Sequence, residues 1–126
     1  MSRWVVAFFS VAGAFFLCGI GGAFIASLFG CWELPVAGFC AAFSVVSTAY
    51  LSVPKFRNES CIIVFVMGTF AAWFILEPSY YPEGYQELAY QPSHLPFIIT
   101  VAGGISALVA CLLVAGRVVK SIVRQD

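Results

Sequence analysis

The charged residues of this chain lie at the ends of four long uncharged stretches, and this spacing constrains the fold more than any other feature. A helix needs about 17 to 25 apolar residues to cross a hydrocarbon core, and each stretch is at least long enough. The uncharged stretches are 4–32, 34–54, 60–76 and 95–116. The sequence therefore predicts an all-α integral membrane protein, a four-transmembrane-helix bundle that forms a single membrane domain over residues 1–126. The predicted spans are about 4–29, 35–53, 60–77 and 96–120.

Strands are the other structure that can cross a bilayer, because every backbone polar group must be hydrogen-bonded there. Barrel strands alternate apolar and polar residues over about ten positions, and the four stretches do not alternate. The composition agrees, since 62% of the residues are hydrophobic and 10% are charged, against about 45–50% and 25% in soluble domains. The formal net charge of zero leaves no basic surface, so we expect no nucleic-acid partner.

The basic residues predict an orientation. All six fall on one side of a four-helix topology: before the first span, between the second and third, and at or beyond the end of the fourth. Short loops rich in Lys and Arg stay in the cytoplasm, so both termini are predicted to be cytoplasmic and the loop 78–95 to be external. We expect a multi-pass plasma membrane protein, and we favour the bacterial inner membrane. The six residues are Arg3, Lys55, Arg57, Arg117, Lys120 and Arg124.

The chemistry of the spans argues against catalysis. None of the four has an ionisable residue in its middle, whereas such residues mark proton relays and ion pathways because burying a charge costs several kcal/mol. The sequence also lacks a nucleophile-and-base motif such as GxSxG or HExxH. Its five cysteines show no metal-binding spacing. We therefore expect no enzyme activity, no cofactor and no metal site.

The predicted external loop contains the only histidine, His94, with Glu83 and Glu87 nearby in the sequence. The two carboxylates are four residues apart and can share one face of a short helix, so a metal ion or a general base is one interpretation. We favour the other interpretation, a solvated acidic loop with an interfacial histidine.

The same loop is rich in tyrosine and proline. Pro82 can start a helix, because its missing N–H is not needed at the first helical position. A helix that starts at Pro82 and runs to Tyr90 would place Tyr81, Tyr85 and Leu88 on one face. Tyrosines at a membrane surface are ordinarily headgroup anchors, but they are also enriched at protein interfaces. The candidates for interfacial anchoring or partner binding are Tyr81, Tyr85, Leu88 and Tyr90.

Two spans carry a small residue at every fourth position. Small residues let helices approach closely in lipid, where van der Waals contact drives association. We expect both rows to be helix-packing surfaces, either inside the bundle, which we favour, or against a second protein. The first row is Ser10, Ala14, Cys18, Gly22, Ala26 and Gly30, and the second is Gly103, Ala107, Cys111 and Ala115.

These observations favour a non-catalytic membrane subunit or accessory protein, which acts through helix packing and its external loop in a larger assembly. Its partners are then the lipid bilayer and either another membrane protein or further copies of the chain. An immunity protein that blocks a membrane toxin is a further alternative. A homo-oligomeric pore or small carrier for a neutral or lipidic substrate is the main alternative, because hydroxyls can line a pore. The hydroxyl candidates are Ser10, Ser44, Ser47, Thr48, Thr69, Thr100 and Ser106.

Overall fold

The structure, a computed structural model, describes residues 2–53 and 55–125. Nearly all of this part of the chain is helical, and four helices are long and apolar enough to cross a membrane. The prediction of an all-α chain with four membrane-length helices is therefore confirmed. The helices are α1 (Arg3–Leu28), α2 (Glu33–Ser52), α3 (Arg57–Leu76) and α4 (Leu95–Val123).

The first helix ends in a turn that depends on glycine. Gly30 has a φ of +65°, a conformation that costs glycine little and other residues more. The N–H of Gly30 donates to the carbonyl of Ser27 (3.1 Å), and the N–H of Cys31 donates to that of Ala26 (2.9 Å). This pair of bonds satisfies carbonyls that the end of a helix leaves free. Gly30 was predicted as the last member of the small-residue row, but it is exposed and turns the chain towards α2 instead.

The second helix lies at the centre of the bundle. It packs most extensively on α1 and on α4, while α3 packs on both α2 and α4. Where α2, α3 and α4 meet, the buried core contains Val46, Cys61 and Ala107. Most large apolar side chains point outward instead, and Phe74, for example, is 80% exposed. A bundle with small residues inside and large apolar residues outside suits a lipid environment, where the surrounding chains are themselves apolar.

The small-residue row of α4 lies against its neighbours in the bundle. Gly103 packs on the backbone of Phe39 in α2, where a Cβ atom would lie 2.5 Å from the Phe39 carbonyl oxygen. Ala107 and Cys111 are buried further along the helix, and Ala115 is half-buried. The contact between α2 and α4 therefore uses most of this row.

The row of α1 faces α2 over part of its length. Gly22 and Ala26 are buried, Ser10 and Ala14 are half-buried, and Cys18 is exposed. A step of four residues advances roughly 40° beyond a full helical turn, so a strict four-residue row drifts around the helix. For this reason the position that faces α2 near the middle of α1 is Gly19, next to Cys18, where a Cβ would lie 3.5 Å from that of Ala41.

The segment between α3 and α4, which we call the connecting loop (residues 77–94), is not the single helix expected from Pro82 to Tyr90. It contains strand β1 (Ser79–Tyr80), a 3₁₀ helix (Glu83–Leu88) and strand β2 (Pro92–Ser93), and the two strands pair antiparallel with Ser79 opposite Ser93. Backbone angles at Gln86 (φ 47°) and Tyr90 (φ 62°) bring the chain back towards β1. Contacts outside the 3₁₀ helix thus override its local helical pattern.

Candidate functional site

The base of the connecting loop is closed by a contact between Glu77 and His94. The His94 Nδ1 atom lies 2.7 and 2.6 Å from the two carboxylate oxygens of Glu77. The Glu77 side chain is 11% exposed and that of His94 is 73% exposed. Glu77 directly follows α3 and His94 directly precedes α4, so the contact joins the ends of the two helices. The carboxylate that contacts His94 is thus Glu77, which was not among the predicted site residues.

Backbone hydrogen bonds join the two arms of the loop above this contact. The N–H of Tyr81 donates to the carbonyl of Gln91 (3.1 Å), and the N–H of Tyr90 donates to the carbonyl of Tyr81 (3.0 Å). Ser79 and Ser93 are buried between the arms, and the Ser79 hydroxyl donates to the carbonyl of Leu76. The connecting loop therefore buries side chains between its own two arms.

Three aromatic side chains attach the loop to the connection between α1 and α2. The ring centroid of Trp32 lies 5.1 Å from that of Tyr81 and 6.1 Å from that of Tyr85, and the two tyrosine rings are 5.5 Å apart. Aromatic pairs at these distances contribute about 0.5–1.5 kcal/mol beyond the area that they bury. Tyr81 and Tyr85, which were predicted as anchors or partner-binding residues, thus pack on Trp32. Trp32 itself was not among the predicted site residues.

The side chains that the loop leaves exposed include Tyr85, which is 40% exposed beside Trp32, and three others that form no aromatic pair with that ring. Tyr80 is 56% exposed, Leu88 45% and Tyr90 67%, and the carboxylates of Glu83 and Glu87 belong to exposed residues as well. Leu88 and Tyr90 belong to the predicted set, whereas Tyr80 does not. We call Tyr80, Leu88 and Tyr90 the outer face of the loop.

A cavity of about 410 Å³, which we call the lateral groove, lies between α1 and α3 with α2 as its floor. Its lining is almost entirely apolar, with Phe15 and Ile20 on one wall and Gly68 and Ile75 on the other. The wall side chains are largely exposed, Ile20 being 68% exposed and Ile75 77%. The groove therefore opens to the side of the bundle, into the region that a bilayer would fill.

The hydroxyl groups in the lateral groove are already hydrogen-bonded. Thr69 donates to the carbonyl of Phe65 (2.9 Å), and Thr100 donates to that of Pro96 (2.7 Å). These two are the members of the predicted hydroxyl set that line the groove. The others along α1 and α4 behave likewise, since Ser10 and Ser106 each donate to a carbonyl four residues earlier. A hydroxyl bonded in this way has its proton engaged within its own helix.

A second cavity of about 560 Å³, which we call the mouth, lies between the connecting loop and the start of α2. Its lining is more polar and includes Trp32, Glu33 and Tyr85. Leu34 and Ala37 line both the mouth and the lateral groove. The two cavities therefore adjoin at these residues, the lateral groove being apolar and the mouth acidic and aromatic.

Within residues 2–53 and 55–125, no three His, Cys, Asp or Glu side chains come close enough together to hold a metal ion. The features that can recognise another molecule are the outer face of the loop, the lateral groove and the mouth. Comparison with family models, with curated proteins and with solved structures finds no match to this chain.

Proposed function

We propose that this chain is a non-catalytic subunit or accessory protein of a membrane assembly, and that its connecting loop recognises the partner. The observation that supports this proposal is the way in which the loop is held. Three separate contacts fix it: the Glu77–His94 pair, the β1–β2 pairing, and the packing of Tyr81 and Tyr85 on Trp32. A surface that is ordered before binding loses less conformational entropy on binding.

The backbone of the loop also favours recognition over simple anchoring. A headgroup anchor needs only an aromatic ring at the membrane surface, and a mobile loop supplies that. Here Gln86 and Tyr90 adopt positive φ angles, which cost a residue other than glycine about 1–3 kcal/mol and are concentrated at ligand-contacting segments. The fixed loop nevertheless leaves its outer face, Tyr80, Leu88 and Tyr90, exposed.

The interior of the bundle supports a role without chemistry of its own. The four helices carry no Asp, Glu, Lys, Arg or His near their middle, and the hydroxyls along the lateral groove donate to their own helices. A proton or a charged solute would require such groups along its path. The protein can still act on a partner through helix packing and through contacts of its connecting loop.

The distribution of charge supports an orientation for this subunit. The basic residues flank the start of α1, the connection between α2 and α3, and the end of α4, all opposite the connecting loop. Under the positive-inside rule the termini are cytoplasmic and the loop is external. We place the protein in a plasma membrane, with the bacterial inner membrane as our proposal.

Cysteine labelling tests the orientation. In a background whose native cysteines are replaced by alanine or serine, Gln86→Cys is expected to react with a membrane-impermeant maleimide added to intact cells. Ile122→Cys is expected to react only after the membrane is permeabilised. The opposite pattern would place the connecting loop in the cytoplasm and contradict the proposed orientation.

A double substitution on the outer face tests the recognition role. Leu88→Ala combined with Tyr90→Asn removes two exposed apolar side chains, and asparagine tolerates the positive φ at position 90. We expect the amount of a stoichiometric partner that co-purifies in mild detergent to fall about tenfold, as for the loss of an interface anchor. The control is Phe74→Ala, which removes an even more exposed apolar side chain (80%) from α3 and should leave association unchanged.

The same purification distinguishes the proposal from the pore alternative. A different polypeptide at fixed stoichiometry, lost in the double variant, supports the subunit. A homo-oligomer that retains its assembly in the double variant and moves a neutral solute across liposomes would contradict it.

A further inference from the structure

We propose that the lateral groove and the mouth together bind one phospholipid with an ammonium headgroup. An acyl chain lies in the groove, and the ammonium group lies beside Glu33 in the mouth. This site is separate from the outer face of the loop, so the inference does not depend on the proposed function.

The chemistry of the lateral groove favours an acyl chain. The groove opens sideways between α1 and α3, and its polar side chains, Thr69 and Thr100, donate to their own helix carbonyls. Neither hydroxyl proton is therefore free to bond a polar solute. A space of this kind, in the plane where hydrocarbon surrounds the bundle, suits a flexible apolar chain that gains dispersion contacts with both walls.

The size of the lateral groove also suits one lipid chain. A transmembrane helix is about 10 Å across and about 30 Å long, which is several times larger than a groove of about 410 Å³. Cavities of roughly 300–1,000 Å³ are typical of small-molecule sites. The groove therefore fits a single lipid chain better than a helix of a second polypeptide.

The mouth adjoins the lateral groove, and its charge favours an ammonium headgroup. Leu34 and Ala37 line both cavities, so a lipid whose chain lies in the groove can reach the mouth with its headgroup. The charged residue that lines the mouth is Glu33, and Trp32 and Tyr85 line it as well. A carboxylate beside aromatic rings attracts an ammonium group through charge and cation–π interaction. An anionic headgroup would meet like charge there, since the Lys and Arg residues lie at the opposite end of the bundle.

Native mass spectrometry of the detergent-purified full chain tests this site. The probes are phosphatidylethanolamine and phosphatidylglycerol with identical acyl chains, added in equal amounts. We expect a roughly fivefold preference for phosphatidylethanolamine, the size of effect that one solvent-accessible ion pair produces. Glu33→Gln is expected to bring the ratio of the two lipids close to one while both still bind.

A second variant tests the groove. A Cβ at Gly68 meets no atom within 4 Å, so Gly68→Leu fills the groove without disturbing the bundle, and we expect it to lower retention of both lipids roughly tenfold. Gly116→Leu is the control, because a Cβ there is equally unhindered and position 116 lies outside the groove. If thermal unfolding shows that Gly68→Leu is misfolded, Ala71→Phe fills the groove from another exposed position.

Three results would overturn the inference. The first is equal retention of the two lipids by the unmodified chain, and the second is equal retention by the Gly68→Leu and Gly116→Leu variants. The third is a photo-crosslinker at position 68 that captures a polypeptide in native membranes, while the same probe at position 116 does not. That result would show that a protein occupies the groove.

Discussion

Replacing Gly103 with alanine is expected to destabilise the bundle by about 3 kcal/mol, the largest effect of any single methyl group that we predict. The added Cβ would lie 2.5 Å from the carbonyl oxygen of Phe39 and 2.9 Å from its Cα. Both atoms belong to the backbone of α2, which cannot rotate away as a side chain can. The helices must therefore separate, and α2 and α4 lose contacts along their length.

Unfolding by SDS in mixed micelles measures this loss, because detergent maintains the helices while their packing breaks. Gly116→Ala is the matched control, since it adds the same methyl group to the same helix where a Cβ meets nothing. The control should be neutral or slightly stabilising, because alanine favours helix over glycine. Equal stability of the two variants would show that α2 and α4 do not approach as closely as the structure indicates.

Replacing Gly22 with leucine is expected to weaken the contact between α1 and α2 by about 2–3 kcal/mol. A Cβ at this position would lie 2.8 Å from the sulfur of Cys40 and 3.2 Å from the carbonyl oxygen of Val36. The cysteine side chain can rotate, but the carbonyl cannot, so the remaining leucine atoms have no space between the helices. The measured quantity is again the free energy of unfolding in mixed micelles.

The control for this variant is Phe16→Leu on the outer side of α1. Phe16 is 63% exposed, so a smaller apolar side chain there exchanges one lipid contact for another and should cost under 1 kcal/mol, as for tolerated apolar substitutions. If both variants are equally stable, the small residues of α1 do not determine its packing.

The membrane spans could be predicted because the charges interrupt the sequence where the helices end. Glu33 begins α2, Arg57 begins α3, and Glu77 follows α3. Charged side chains are costly in hydrocarbon, so their positions limit each span to within about a turn. This constraint is local and needs no knowledge of the neighbouring helices.

Which face of a helix packs inward was harder to predict. A four-residue row follows the helix axis only approximately, and over α1 the drift carries Cys18 out to the surface while Gly19 turns towards α2. Which of these adjacent residues faces α2 depends on how the two helices cross. A single sequence does not specify that geometry.

The connecting loop was the least predictable part. Its local pattern is typical of a helix from Pro82 to Tyr90, but the observed conformation depends on Trp32, some fifty residues earlier in the chain. One signal was available: Trp32 is an aromatic residue at the end of a span, on the same side of the bundle as the tyrosines. The Glu77–His94 contact had a clearer signal, because both residues flank the same loop and antiparallel neighbouring helices bring such ends together.

The central position of α2 has a consequence for synthesis in the cell. Residues 29–32 alone separate α1 from α2, so these two helices can pair as soon as both enter the membrane. The face of α2 that holds Phe39, however, receives α4, the last helix to be made. Until then that face has only lipid beside it. A chain interrupted before residue 92 would retain its first helical pair, while β1 lacks β2, Glu77 lacks His94 and the second interface of α2 stays open, so it leaves uncovered a surface that the finished bundle buries.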